Sequence, residues 1–196
     1  MAHIGSADLA AGLDHIRLSP ADVGTVELIV CRPAVDERQV LGQGTLDLKL
    51  GLVGDNWSVK PTTSTPDESP NPDGQLTLMN SRAIALIAGH PDRWALAGDQ
   101  LYVDFDLSEV SLPAGTRLSI GDAVIEITPK PHRGCAKFSA RFGRDALRFV
   151  NTGPGIELNL RGRNARVITA GTVRPGETLR RVPTAGLDQV RDRNQA

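Results

Sequence analysis

The sequence predicts a mainly β protein with a few helices, its strands closed into a barrel and its helices packed outside. Three observations lead there. Of 196 residues, 20 are glycine and 13 proline, roughly 17% against an average nearer 12%, so turns are frequent and elements short. About eight runs have the length and the alternating or β-branched composition of strands. Two or three further segments repeat apolar residues at helical spacing and would cover such a barrel from outside.

Taken in order, Ser6–Leu18 reads as a short helix capped by Ser6, or as a terminal arm. Gly24–Cys31 is β-branched and apolar up to Arg32-Pro33, and predicts a buried strand stopped by proline. A second extended stretch falls between Arg38 and Leu50, where Leu46, Leu48 and Leu50 alternate with polar residues. Lys60–Gly74 holds four prolines and no large apolar side chain, which predicts a mobile surface loop. Gln75–Met79 predicts a strand, followed by a helix capped at Asn80 or Ser81 and ending at Gly89. Asp99–Leu107 turns Leu101, Val103, Phe105 and Leu107 to one side, and Arg117–Ile120 with Ala123–Ile127 forms a hairpin about Gly121-Asp122. A helix over Ala136–Val150 would line up Phe138, Phe142, Ala146 and Phe149. Arg163–Thr169 and Thr178–Val182 complete the strands. The expected organisation is an arm over 1–20, a barrel over 21–183 containing the 60–74 loop, and a loose tail over 184–196.

Composition narrows the function classes. With 40% hydrophobic and 23% charged residues the chain can bury a core without metal or disulfide staples. No apolar run approaches the ~18 residues of a membrane span, and the first residues lack a basic and then apolar leader. Two cysteines 104 positions apart form neither a framework nor a CxxC pair, so a reducing cytoplasm is the expected location. The net charge of −1 gives no reason to expect nucleic acid. The charge is segregated, however. Lys130–Arg166 contains nine basic and two acidic residues, a local excess of +7 that leaves −8 on the remainder.

Cys135 lies inside that basic window, in His132-Arg-Gly-Cys-Ala-Lys137, at the start of the expected phenylalanine helix. A thiol among cations and helix N–H groups has thiolate character, and thiolate is both nucleophile and soft metal ligand; the plainer alternative is a small space-filling residue. Cys31, inside Leu-Ile-Val-Cys, reads as core. Lys137, Arg141, Arg144 and Arg148 are spaced 4, 3 and 4 and would share one helix face. That face is either solvated or an anion site, the second reading fitting Arg133 and Lys137 beside Cys135 best. The four histidines have no ligand spacing, His132 offers Cys135 at most a dyad without a third group, and no nucleotide-binding glycine motif is present.

The segment Pro131-His-Arg-Gly-Cys-Ala-Lys-Phe138 and its continuation Ser139–Asn151, with Ala97-Gly-Asp-Gln-Leu101 and the strand Leu118–Thr128, resemble the MOSC domain. That domain forms the C-terminal part of molybdenum cofactor sulfurases and also occurs as small stand-alone bacterial proteins. The likeness spans about Gly24–Val182. It implies a barrel that binds molybdenum cofactor (molybdopterin) or carries sulfur, with Cys135 as molybdenum ligand or persulfide carrier and a sulfur donor or acceptor protein as partner. Arg133, Lys137, Arg141 and His132 would serve the cofactor. The family's Gly-Glu-Asn corresponds to Gly98-Asp99-Gln100 here, which gives Asp99 and Gln100 the same expected role. An enzymatic alternative is a molybdenum-dependent reductase of N-hydroxylated compounds, which would bring a redox partner. A non-catalytic alternative is a barrel docking an acidic partner on its basic helix face. A chain of this length has no room for the sulfurases' pyridoxal phosphate module, so that cofactor is not expected; the absence of a long apolar run and the net charge of −1 set aside a membrane or nucleic-acid partner.

Overall fold

The computed structural model describes residues 3–61 and 65–183. Part of the predicted mobile loop and the whole predicted C-terminal tail lie outside the described residues. Eleven strands are present among these residues: β1 (Val23–Cys31), β2 (Gln39–Leu41), β3 (Gly44–Asp47), β4 (Gly51–Leu52), β5 (Leu76–Asn80), β6 (Leu101–Asp104), β7 (Arg117–Ile120), β8 (Ala123–Ile127), β9 (Arg163–Thr169), β10 (Gly171–Val173) and β11 (Thr178–Arg181). Seven of them close into a barrel in the order β11-β7-β8-β9-β5-β6-β1, with β1 returning to β11 through Val23 opposite Arg180. The barrel is mixed, since β5 and β6 run parallel while their neighbours pair antiparallel. The far half of β1 carries β2, and β10, β3 and β4 form a separate small sheet.

The helices are α1 (Ser6–Ala11), α2 (Leu13–Arg17), α3 (Ser81–Ala88), α4 (Ala136–Phe142), α5 (Arg144–Asn151) and α6 (Pro154–Glu157). They give the molecule two apolar layers. Leu78, Leu101, Val103, Phe105 and Ile125 fill the barrel. Met79, Val30 and Tyr102 point outward from the same strands and meet Ile84, Ile87, Phe138, Phe142 and Ala146 of the helices. The central strands are therefore buried on both faces, as a helix-covered sheet requires. Asn80 caps α3 by accepting from the Ala83 N–H at 2.9 Å, and Gly89 ends it in the left-handed region.

Several sequence expectations are corrected. The first helix is two, and its N-cap is Gly5 rather than Ser6. They part at Gly12, where any Cβ would lie 2.4 Å from Leu86. Leu48 and Leu50 are exposed, and only Leu46 of the proposed trio is core, because the chain turns after Asp47 whose carboxylate accepts from the Lys49 and Leu50 N–H groups. The phenylalanine helix is broken at Gly143, whose φ of 92° belongs to the left-handed half of backbone space that glycine alone adopts cheaply. The stripe survives the break: Phe138 and Phe142 are buried with ring centroids 4.9 Å apart, and Ala146 is buried on α5.

Candidate functional site

Loops at one end of the barrel enclose a cleft of about 360 Å³, within the range of small-molecule sites. Seven cationic side chains line it: Arg32, Arg38, Lys60, Lys130, Lys137, Arg141 and Arg161. Against them stands one carboxylate, Asp36. They come from separate stretches of the chain, and Arg32, Arg161, Lys137 and Arg141 are each held by named partners.

Arg32 follows β1 directly. The buried carboxylate of Asp55 takes it in a two-pronged grip, Nε to Oδ2 at 2.8 Å and Nη2 to Oδ1 at 2.9 Å, and also accepts from the Arg32 backbone N–H. The remaining guanidinium nitrogen, Nη1, donates to the Gly98 carbonyl at 3.0 Å. Asp55 Oδ1 accepts from the Trp57 N–H as well, so one acid sets both a cation and an aromatic wall of the cleft. Arg161, just ahead of β9, forms part of the floor. Its Nη1 donates to Asp99 Oδ2 at 2.6 Å, its Nη2 to the Ala97 carbonyl at 3.0 Å, and its Cζ lies 5.1 Å over the Phe138 ring. At the rim, Lys137 and Arg141 of α4 converge on Asp36, and Arg141 also donates to the Leu96 carbonyl.

Among the described residues, Nε of Arg38 and Nε of Arg161 are buried with no hydrogen-bond partner. Burial first, then the charges of Arg141 and Arg32, pull the Arg38 guanidinium below its ordinary value. Crowded, partly desolvated cations with unused donors are an arrangement that an anion relieves.

Cys135 is exposed, stands at the N-cap position of α4 and lines the same cleft. Cys31 is its opposite: buried, with burial first and Asp55 second pushing the thiol up. Of the other residues singled out in the sequence, Lys137 and Arg141 line the cleft, whereas Arg133 is exposed and lies outside its lining. Asp99 is fully buried beneath Arg161, so it holds a cation in place rather than facing the cleft. Gln100 is equally buried, its Oε1 accepting from the N–H and hydroxyl of Thr77 and its Nε2 donating to the Gln75 carbonyl. His132 packs behind the floor with Nδ1 3.5 Å from Asp99 Oδ1. Burial, then the Arg161 charge, push its pKa down to about 3 against the pull of Asp99, so the ring is neutral. Arg144 and Arg148 lie across the Gly143 break and line a second, shallower groove with His3 and Leu147. The four-residue basic face is thus divided in two.

Sequence reasoning missed Arg32, Arg38, Lys60 and Trp57, and gave Arg161 no role. Arg32-Pro33 at a strand end was visible, but nothing in the linear order joins it to Arg161. The proline-rich 60–74 segment reads in the sequence as a surface loop, and Lys60, Pro61, Pro70 and Gly74 from it line the cleft. Among the described residues no three or more His, Cys, Asp and Glu side chains gather as a metal site. No helix among them is long and apolar enough to cross a membrane.

The fold and this cleft define a closed mixed barrel with a cation-lined mouth and an exposed thiol at its rim. The same fold occurs in the solved structure of the YuaD protein from Bacillus subtilis, at 16% identity over 80% of this chain and 94% of that one, with a TM-score of 0.58. It occurs again in YiiM from Escherichia coli, at 21% identity over 83% and 71% with a TM-score of 0.52. YiiM from Geobacillus stearothermophilus matches at 13% over 82% and 75%, TM-score 0.54. No family model and no curated protein sequence matches the chain.

Proposed function

We propose that the cleft binds molybdenum cofactor, with Cys135 as thiolate ligand to the metal or as carrier of a persulfide sulfur. The observation that carries this reading is the opening of one exposed cysteine onto the same cleft as seven cations. The cofactor is a phosphorylated pterin whose dithiolene holds molybdenum, so it needs cations for its phosphate and leaves the metal open to a soft ligand. The residues present fit that demand. Arg38, Lys137, Arg141 and Arg161 would hold the phosphate, and Trp57 offers an aromatic wall to a flat ring. The likeness of Pro131–Phe138 to MOSC domains supports the assignment of Cys135, and the barrel shared with YuaD and YiiM agrees with it at the level of fold. When bound, the metal would supply oxidation–reduction chemistry. The chain's own part is to position the phosphate and present the thiol.

The test is molybdenum by mass spectrometry together with oxidised-pterin fluorescence, on protein purified anaerobically from a cofactor-producing host. Metal and pterin near one per chain, lost in Cys135→Ala, is the expected result. Metal retained at wild-type occupancy in Cys135→Ala removes the ligand role. Absence of both from cofactor-replete preparations removes the cofactor, and persulfide mapping at Cys135 then decides the carrier form.

A further inference from the structure

Among the described residues Asp36 is the one acid in the cleft lining. Lys137 Nζ donates to both its oxygens, at 3.2 and 3.3 Å, and Arg141 Nη2 donates to Oδ1 at 2.6 Å. The hydrogen bond and charge of Lys137, followed by Arg141, hold the Asp36 carboxyl below its usual range. The residue sits in the irregular segment between β1 and β2 with a φ of 62°, a left-handed conformation that asparagine and aspartate tolerate better than other side chains bearing a Cβ. Its carboxylate is 58% exposed, so nothing encloses it from the solvent side. Among the described residues the cleft cations Arg38, Lys60 and Lys130 have no carboxylate within 4 Å, whereas Arg32 and Arg161 are already paired with Asp55 and Asp99.

We propose that Asp36 is an internal stand-in for the ligand: it rests on Lys137 and Arg141 in the free protein and is displaced when a multiply charged phosphoryl anion enters. The inference rests on reading the cleft as an anion site and adds a rule of selection to it. A tethered carboxylate competes at high local concentration, so a free monocarboxylate brings no more charge than Asp36 already supplies. A phosphate or diphosphate replaces the carboxylate and also reaches the unpaired cations that line the same cleft. Meanwhile Asp36 keeps two rim cations from splaying into solvent or capturing monovalent anions. Asp36→Asn removes the charge while keeping a side chain suited to the same backbone.

The experiment is calorimetric titration of the full chain, prepared free of cofactor, with inorganic pyrophosphate and separately with acetate. Exposed ion pairs shift equilibria by about two- to fivefold. Asp36→Asn is therefore expected to bind pyrophosphate about two- to fivefold more tightly than wild type and to lose part of the discrimination against acetate. Equal or weaker pyrophosphate binding by Asp36→Asn overturns the proposal, because the carboxylate would then be idle or would position the cations. Failure of both proteins to bind pyrophosphate overturns it as well. The expected order of affinities in protein that never carries molybdenum or pterin would uphold the stand-in while removing the cofactor reading. Full cofactor occupancy with no gain in Asp36→Asn would do the reverse.

Discussion

Replacing Asp99 by asparagine perturbs the floor of the cleft without touching its open surface. Asp99 is completely buried and Arg161 retains 8% of its side-chain exposure, so their 2.6 Å contact is a desolvated ion pair. Breaking such a pair by neutralising one partner typically costs about 3–5 kcal/mol, because the other charge stays buried. Here Arg161 keeps its bond to the Ala97 carbonyl and its place over Phe138, and the asparagine oxygen can still accept one hydrogen bond. Those remnants place the expected loss at the lower end, about 3 kcal/mol. In a domain of this size that is a fall in Tm of about 6–12 °C. The assay is denaturant unfolding of Asp99→Asn, Arg161→Met and an apolar double variant that combines Asp99→Leu with Arg161→Met. Since an apolar pair of similar volume is often neutral in place of a buried ion pair, the double variant should recover most of the loss. An Asp99→Asn protein within about 0.5 kcal/mol of wild type would refute the reasoning. So would a double variant no more stable than Asp99→Asn alone.

Two further outcomes follow from the same geometry. Arg133 lies outside the cleft lining while Arg141 is in it, so Arg141→Ala should weaken pyrophosphate binding several-fold and Arg133→Ala should leave it near wild type; equal losses would return Arg133 to the site. The depressed pKa of His132, about 3 against an ordinary 6.5, makes stability fall with acidification. Between those values the unfolded chain binds a proton that the folded chain refuses, so stability is full above about pH 6.5 and declines below it by at most about 1.4 kcal/mol per pH unit. With 17% of the side chain still exposed, the expected excess loss between pH 7 and pH 5 is about 1–2 kcal/mol, absent in His132→Gln. Parallel denaturant midpoints for the two proteins across that range would contradict it.

What the sequence made legible follows the range of the interactions involved. Period-two alternation is local, so β1, β7, β8 and β9 lie where the pattern put them, and Asn80 caps α3 as its side chain allows. The short strands β2, β3 and β4 are too brief to show a period: β2 and β3 fall inside the one extended stretch the sequence shows, and β4 lies just beyond it. The motif likeness implies a cofactor role for Asp99 and Gln100, but linear order cannot say which way a side chain points. The structure turns Asp99 onto Arg161 and Gln100 onto Thr77.

The basic window shows the same limit in the site itself. Of its nine cations, Lys130, Lys137, Arg141 and Arg161 reach the cleft, while Arg163 and Arg166 are paired with Glu109 and Glu126 and Arg144 and Arg148 lie beyond Gly143. The other three cleft cations, Arg32, Arg38 and Lys60, come from the portion of the chain whose net charge is negative. A run of charge along the sequence therefore marked the neighbourhood and misjudged the membership. Membership is decided by two conditions that only the closed barrel creates. A cation must lie at the mouth of the barrel, and no buried acid may already neutralise it. Arg32 and Arg161 meet only the first condition, since Asp55 and Asp99 hold them as fixed walls, whereas Arg38, Lys60 and Lys130 remain open to a ligand. Lys137 and Arg141 stand between these cases because their acid, Asp36, is exposed and can leave.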